Sequence, residues 1–225
     1  MDYKLKVIVK NMLTSINRSE IEKMDKVPRL KLINSLSGFK SANLMGTINE
    51  EGVENLAIFS SVVHLGSNPP LLGCILRPQT VPRHTYKNIK ETGWYTVNHV
   101  NSAIYRKAHQ TSGKYREELS EFEVSGLESW YSETCRAPYV EAARIRIGLK
   151  PLEEHFVEAN KTMMLVGAIQ EIWIPENCRE EDGFLDIEKA GTVTISGLDA
   201  YHTTNRLDKM EYVRVEDSLK RNESS

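Results

Sequence analysis

The sequence predicts a mainly β domain with flanking helices, folded as a closed or partly closed antiparallel barrel. About six apolar, β-rich runs are separated by short turns bearing Gly, Pro and Asn, and the helical segments between them are brief. Strands do not alternate with long helices, and neither GxGxxG nor GxxxxGK[ST] occurs, which disfavours a doubly wound parallel sheet. No repeat of solenoid length is present.

At 225 residues, with 40% hydrophobic and 27% charged side chains, the chain has the balance of a globular protein with one sizeable core. We divide it into an N-terminal extension (1–25), the barrel domain (26–213) and a flexible C-terminal tail (214–225). The formal net charge of −2 and the scattered Lys and Arg argue against nucleic acid or an anionic membrane as partner. No apolar run approaches the ~20 residues that span a bilayer. Charge interrupts the first ten residues too often for a signal-peptide core. Cys74, Cys135 and Cys178 are far apart and odd in number, so they read as reduced thiols of a cytoplasmic protein. Cys74 falls in a core strand as a small hydrophobe.

Taken in order, a strand candidate at 6–9 precedes a short helix at 28–37, where Leu30, Leu32, Ile33 and Leu36 recur near helical spacing and Gly38 supplies a stop. The run 42–48 ends at Asn49-Glu-Glu-Gly52, a hairpin turn, and 56–63 is its return strand. Gly66-Ser-Asn-Pro-Pro70 turns the chain into a third strand, 71–76. A helix over 85–91 takes Thr85 as N-cap and Gly93 as its left-handed stop. Residues 94–100 are a β-rich fourth strand. Helices at 102–109 and 116–122 flank the loop Thr111-Ser-Gly-Lys114, and strands at 141–149 and 162–174 flank a turn near Asn160. Short extended pieces at 183–185 and 191–195 follow.

The stretch Asn55-Leu-Ala-Ile-Phe-Ser-Ser61 sets two hydroxyls in an apolar strand. A buried hydroxyl without a partner costs roughly 1–3 kcal/mol, so Ser60 and Ser61 need either a ligand with many acceptors or the solvent of a barrel rim. Arg77 ends the third strand beside Pro78, placed for a bidentate phosphate contact or for plain solvation. The helix opening at Thr85 has free N–H groups for an anion, with Arg83, His84 and Lys87 adding charge or donors. Thr111–Lys114 is either a second anion nest or an interhelical loop. Together these parts suit a phosphate carrying a flat ring system.

Their order and spacing resemble the flavin reductase-like family of FMN-binding, flavoredoxin-like split barrels. That family shows Asn-x-Ala-x-x-Ser, then an arginine, then Thr-x-x-Asn-Ile. Here Asn88-Ile-Lys-Glu-Thr-Gly-Trp-Tyr-Thr-Val-Asn98 is similar to its Asn-Ile-x-x-Thr-Gly-x-Phe-x-Val-Asn. Gly46–Gly52 with Asn55–Ala57, Asn68–Pro70, Ser112-Gly113 before Glu121-Phe122, and Val166-Gly-Ala-Ile169 extend the likeness over most of the chain. The resemblance implies a Greek-key antiparallel split β-barrel, a homodimer, and FMN at or near the subunit interface. It implies a cofactor-binding set of Asn55, Ala57, Ile58, Phe59, Ser60 and Ser61 beside the ring and ribityl chain. Leu76, Arg77, His84, Thr85, Asn88, Ser112, Gly113 and Lys114 complete the set, with Arg77, Thr85 and the 112–114 loop toward the phosphate. Three positions depart from the pattern: Glu121 where many members have Lys, Thr162 where many have His, and Ala168 for a frequent Glu. The reversed charge at Glu121 predicts a weaker hold on phosphate unless Lys114 compensates.

The activity so implied is that of an FMN-dependent oxidoreductase passing hydride from NADH or NADPH to flavin. A non-catalytic flavoprotein that carries electrons, and a dimeric barrel that has lost flavin, are the alternatives. Flavin chemistry needs orientation and ring tuning more than protein acids, so no catalytic residue is assigned; His64, His99 and His202 are left structural or solvated. Trp94, Trp130 and Trp173 read as core or interface anchors. Glu153, Glu154 and His155 are consecutive on an extended segment and cannot all face one ion, so no metal site is assigned.

Overall fold

The computed structural model describes residues 13–78, 83–116 and 118–212. The strand expected at 6–9 and the tail at 214–225 lie outside them. Two helices precede the sheet. α1 (Arg18–Lys23) falls within the expected extension and is held by a capping box, in which Asn17 Oδ1 accepts the Glu20 N–H at 3.1 Å and Glu20 accepts the Asn17 N–H at 2.8 Å. α2 (Lys26–Leu36) covers the helix predicted near 28–37.

After the short β1 (Lys40–Ser41), β2 (Asn43–Ile48) and β3 (Glu54–Phe59) form the predicted hairpin, turning at Gly52 with φ +87°. β2 is buried on both faces. Leu44 packs with Leu56, Val100, Ile104 and Phe122, while Met45 packs with Cys74, Leu76, Val97, Leu149 and Leu165. The sheet thus separates a helix-covered core from the barrel interior.

The return strand does not run through to Val63. It ends at Phe59, and β4 (Val62–Ser67) begins a new hairpin with β5 (Pro70–Leu76) across a turn that contains a cis Asn68–Pro69 bond. Ser60 and Ser61 form the break. The Ser61 hydroxyl donates to the Ile75 carbonyl at 2.9 Å, a tertiary bond to β5 that holds the chain at this corner in place of a continuing strand.

α3 (His84–Thr92) starts one residue before the prediction, with Arg83 as N-cap, so Thr85 lies inside the first turn and does not cap. Gly93 closes the helix at φ +69° as expected. β6 (Tyr95–His99) follows, then α4 (Tyr105–Gln110). The helix expected at 116–122 is instead α5 (Glu121–Ser125), because Ser120 is extended and Gly126 at φ +62° stops the chain soon after. β7 (Ser129–Trp130) and β8 (Tyr139–Val140) form a small ribbon.

β9 (Arg146–Val157) and β10 (Thr162–Trp173) make one long hairpin, with β9 starting later and ending later than predicted. At its start, Arg146 donates to the carbonyls of Glu141 and Ala143 and holds residues 141–145 in a turn. Pro151 does not end β9 because the register shifts beside it, between Val166 and Gly167 on β10. The extended pieces expected at 183–185 and 191–195 are present in shortened form, as an Arg179–Leu185 bridge, an Asn101–Thr192 bridge and β11 (Thr194–Ser196), which pairs with β1 and with β12 (Ala200–His202).

The seven-stranded antiparallel sheet runs β3-β2-β6-β9-β10-β5-β4. Its two edges, β3 and β4, are consecutive in the chain and joined only by Ser60 and Ser61. Three Cα steps span at most about 11 Å, so the edges must meet at that corner and the sheet must roll into a barrel. No ladder joins β3 to β4. Among the described residues the barrel is therefore split, and β3 keeps an open edge with no strand partner.

Gly46 marks a close crossing against backbone: a Cβ there would collide with the Pro138 carbonyl and Thr96 Oγ1. Because the obstacle is backbone, Gly46→Ala is expected to lower stability by about 1–3 kcal/mol, read as a shifted urea midpoint. An unchanged midpoint contradicts this packing.

Candidate functional site

Four buried polar side chains tie the first turn of α3 to the opening hairpin. Asn55 on β3 donates through Nδ2 to Thr47 Oγ1 and to Thr85 Oγ1, each at 3.1 Å. Asn88, one turn further along α3, donates to the same Thr47 oxygen at 3.2 Å. Thr47, Asn55, Thr85 and Asn88 are all under 9% exposed. Buried polar atoms must find partners, and these find one another, so the helix N-terminus is fixed beside β3. Thr47 escaped the sequence reading. Its signal was the hairpin register, which sets Thr47 opposite Asn55 on one face.

The open edge of β3 is the second component. Alternate residues of an antiparallel strand direct N–H and C=O to opposite sides. The Leu56 N–H points away from β2 and donates to Glu121 Oε2 at 3.0 Å. Ile58 shares its parity and turns its backbone groups to the same edge. Glu121, the first residue of α5, is 6% exposed, and burial pushes its carboxyl above the usual range, opposed by the Leu56 N–H and the nearby His84 charge.

The far end of this edge is the Ser60–Ser61 corner. From Asn55 to Phe59 is about 13 Å at 3.3 Å per residue. Ser61, bonded to the Ile75 carbonyl, stands beside the β5 end that carries Leu76 and the exposed Arg77. Leu76 itself is buried in the barrel core at 4% exposure. The structure thus gathers Asn55, Thr85, Asn88 and His84 at one end of the edge, Ser60, Ser61 and Arg77 at the other, and Ala57, Ile58 and Phe59 between.

The 112–114 loop is built differently from an anion nest. The N–H groups of Thr111, Ser112 and Gly113 donate to the carbonyls of Ala108, His109 and Gln110, and the Ser112 hydroxyl donates to His109 O at 2.7 Å. These donors satisfy the C-terminus of α4. Lys114 alone of the three leaves a cation to offer, and it is exposed.

Two buried polar atoms near these elements have no hydrogen-bond partner among the described residues: Arg83 Nε at the N-cap of α3 and Ser120 Oγ at the N-cap of α5. Both are donors to an anion. An orphaned guanidinium nitrogen and hydroxyl beside a pinned helix N-terminus fit a phosphate-bearing ligand, and the open strand edge fits the polar rim of a flat ring.

Other candidates resolve structurally. Cys74 is 3% exposed, and burial pushes its thiol up to about 12, so it acts as a core hydrophobe. Glu154 receives Tyr86 OH at 2.9 Å and Lys90 Nζ at 3.1 Å from α3, whereas Glu153 and His155 pair on the opposite, exposed face. A separate groove of about 340 Å³ lies where β9 begins and β10 ends, lined by Glu141, Arg144, Arg146 and Trp173 among others. No sequence-predicted site residue lines it.

Residues 36–193 match the family model of the flavin reductase like domain. A crystal structure of a candidate flavin reductase with a split barrel domain from Shewanella frigidimarina NCIMB 400 is 44% identical, with a TM-score of 0.86 over 89% of this chain and 100% of that one. Flavoredoxin of Desulfovibrio vulgaris (Miyazaki F) is 25% identical, with a TM-score of 0.67 over 78% of this chain and 92% of that one. An uncharacterised protein of Aquifex aeolicus (strain VF5) is 28% identical over 122 residues, which are 53% of this chain and 62% of that protein. With the matched segment covering the hairpin, the pinned helix and the long β9–β10 ribbon, the chain belongs to the flavin reductase-like domain family and has its split-barrel fold.

Proposed function

We propose that the chain binds FMN along the open edge of β3 and works as a flavin reductase-like oxidoreductase, with NADH or NADPH as reductant. The observation that carries this reading is the pairing of a free strand edge with a helix N-terminus pinned by Asn55 and flanked by the unpartnered Arg83 Nε and Ser120 Oγ. FMN, when bound, supplies the hydride-accepting ring. The protein's part is placement. Backbone groups of Ile58 meet the ring rim, Ser60 and Ser61 offer hydroxyls, and Arg83, His84 and Thr85 meet the phosphate at one end of the edge. Arg77 supplies the cation of the other end. Phe59 packs against the barrel core and shields the strand from water.

A homodimer belongs to the same proposal. Val63, Leu65 and Ile75 are 46%, 40% and 36% exposed on the outer face of β4 and β5, an apolar surface suited to a second copy. Sedimentation equilibrium returning the mass of a single chain contradicts the dimer.

Purified protein is expected to take up FMN with a flavin absorbance band and to bleach anaerobically on adding NADH or NADPH. Absence of flavin uptake overturns the reading, and uptake without bleaching leaves a flavin carrier in place of a reductase. Arg77 is exposed at the end of the edge away from the phosphate, so Arg77→Ala is expected to weaken FMN by only about 0.5–1 kcal/mol in a titration with an unchanged unfolding midpoint. Unaltered affinity removes Arg77 from the site. Asn55→Ala breaks the bridge to Thr47 and Thr85 and is expected to destabilise the fold by about 1–3 kcal/mol while speeding amide exchange in residues 84–88. Unchanged exchange there contradicts the pinning role.

A further inference from the structure

Glu121 brings a negative charge to the place where the proposed ligand carries its own. Its Oε2 accepts the Leu56 N–H at 3.0 Å, a backbone donor that strand pairing leaves free on the open edge of β3. The adjacent residue, Asn55, bonds Thr85 in the first turn of α3, and His84 of that turn is near enough for its charge to favour the ionised Glu121. The carboxylate thus sits on the open edge of β3, one residue along the strand from the side chain that bonds the first turn of α3. Resting on the flavin reading above, we propose that Glu121 is an internal anion that competes with the flavin phosphate, so that this chain discriminates weakly in favour of FMN over phosphate-free flavin and gains FMN affinity when Glu121 is neutralised.

The ionisable groups on the elements packed around it do not neutralise this charge by contact. On β3, Glu54 accepts Tyr131 OH at 2.7 Å. On α4, next to Tyr105 and Arg106, Lys107 donates to Gly126 O at 2.6 Å and His109 bonds Tyr201 OH at 3.0 Å. On α3, Lys87 pairs with Glu91 at 3.7 Å, and Arg83 and His84 are the basic residues at the N-terminal end of the helix. Glu123 on α5 is exposed and adds further negative charge.

The direction with pH follows. Burial raises the Glu121 pKa above the ordinary carboxylate value, so protonation begins at higher pH than for an exposed glutamate. A bound phosphate favours the neutral acid further, so by linkage FMN affinity gains from Glu121 as pH falls through that value. Protonation of the phosphate, whose second pKa is about 6, is common to wild type and variants and cancels in their comparison.

The test is a titration of the full chain and of Glu121→Gln with FMN and with riboflavin, followed by flavin fluorescence at low and high salt. Gln keeps an oxygen for the Leu56 N–H and removes the charge. FMN is expected to bind the variant about five- to tenfold more tightly at low ionic strength, with a smaller gain at high salt and riboflavin unchanged. Equal changes for both flavins show a structural role and overturn the proposal, as does no change for FMN. Should the variant not fold, the wild-type ratio of FMN to riboflavin affinity, compared with that of Glu121→Ala over an acid pH series, carries the same decision. A ratio that follows pH identically in both overturns it. Failure of every protein to bind either flavin overturns the flavin reading itself, a result distinct from binding that ignores residue 121.

Discussion

The amide of Asn55 is the point at which strand, hairpin and helix become one structure. Its two N–H groups divide between Thr47 on the neighbouring strand and Thr85 on α3, and Asn88 returns to the same Thr47 oxygen. All four side chains are buried, so each bond replaces water that is not available, and the loss of one leaves its partner unsatisfied. The consequence is geometric. A helix N-terminus, with its unpaired N–H groups and partial positive charge, is held beside the open edge of a β-strand instead of drifting on a loop.

That edge exists because of a topological constraint. The chain passes from the first strand of the seven-stranded order to the last through only Ser60 and Ser61, so the sheet rolls until its edges meet at one corner and diverge beyond it. Closure along the full length would consume the Leu56 and Ile58 backbone groups in a ladder. The split leaves them to other partners, and Glu121 already takes one. The donors and acceptors on this edge are thus what remains when a barrel does not close.

Much of this was legible in the residues. The Asn49–Gly52 turn, the stop at Gly93, and the grouping of Asn55 with Thr85 and Asn88 follow from turn chemistry, helix termination and a family spacing. The strand break was not, because serines are compatible with a continuing strand and only the tertiary bond from Ser61 to Ile75 decides against it. Pro151 concealed the length of β9, since a proline argues for termination unless a bulge absorbs it. Thr85 suggested a cap by residue type, but its oxygen is taken by Asn55 and the capping position falls to Arg83. The Ser112–Lys114 loop had the composition of an anion nest, yet its donors are spent on the carbonyl end of α4, a competition that composition alone does not reveal. Glu121 was visible as a reversed charge; its backbone partner and burial were not.

The central claim is that the open edge of β3 and the first turn of α3 together form the ligand surface. Amide hydrogen exchange of the intact chain with and without saturating FMN tests it directly. Slowed exchange concentrated in residues 54–62 and 84–88 is the result this account predicts. Protection confined to the groove around Arg144, Arg146 and Trp173, with the β3 edge unchanged, would contradict it.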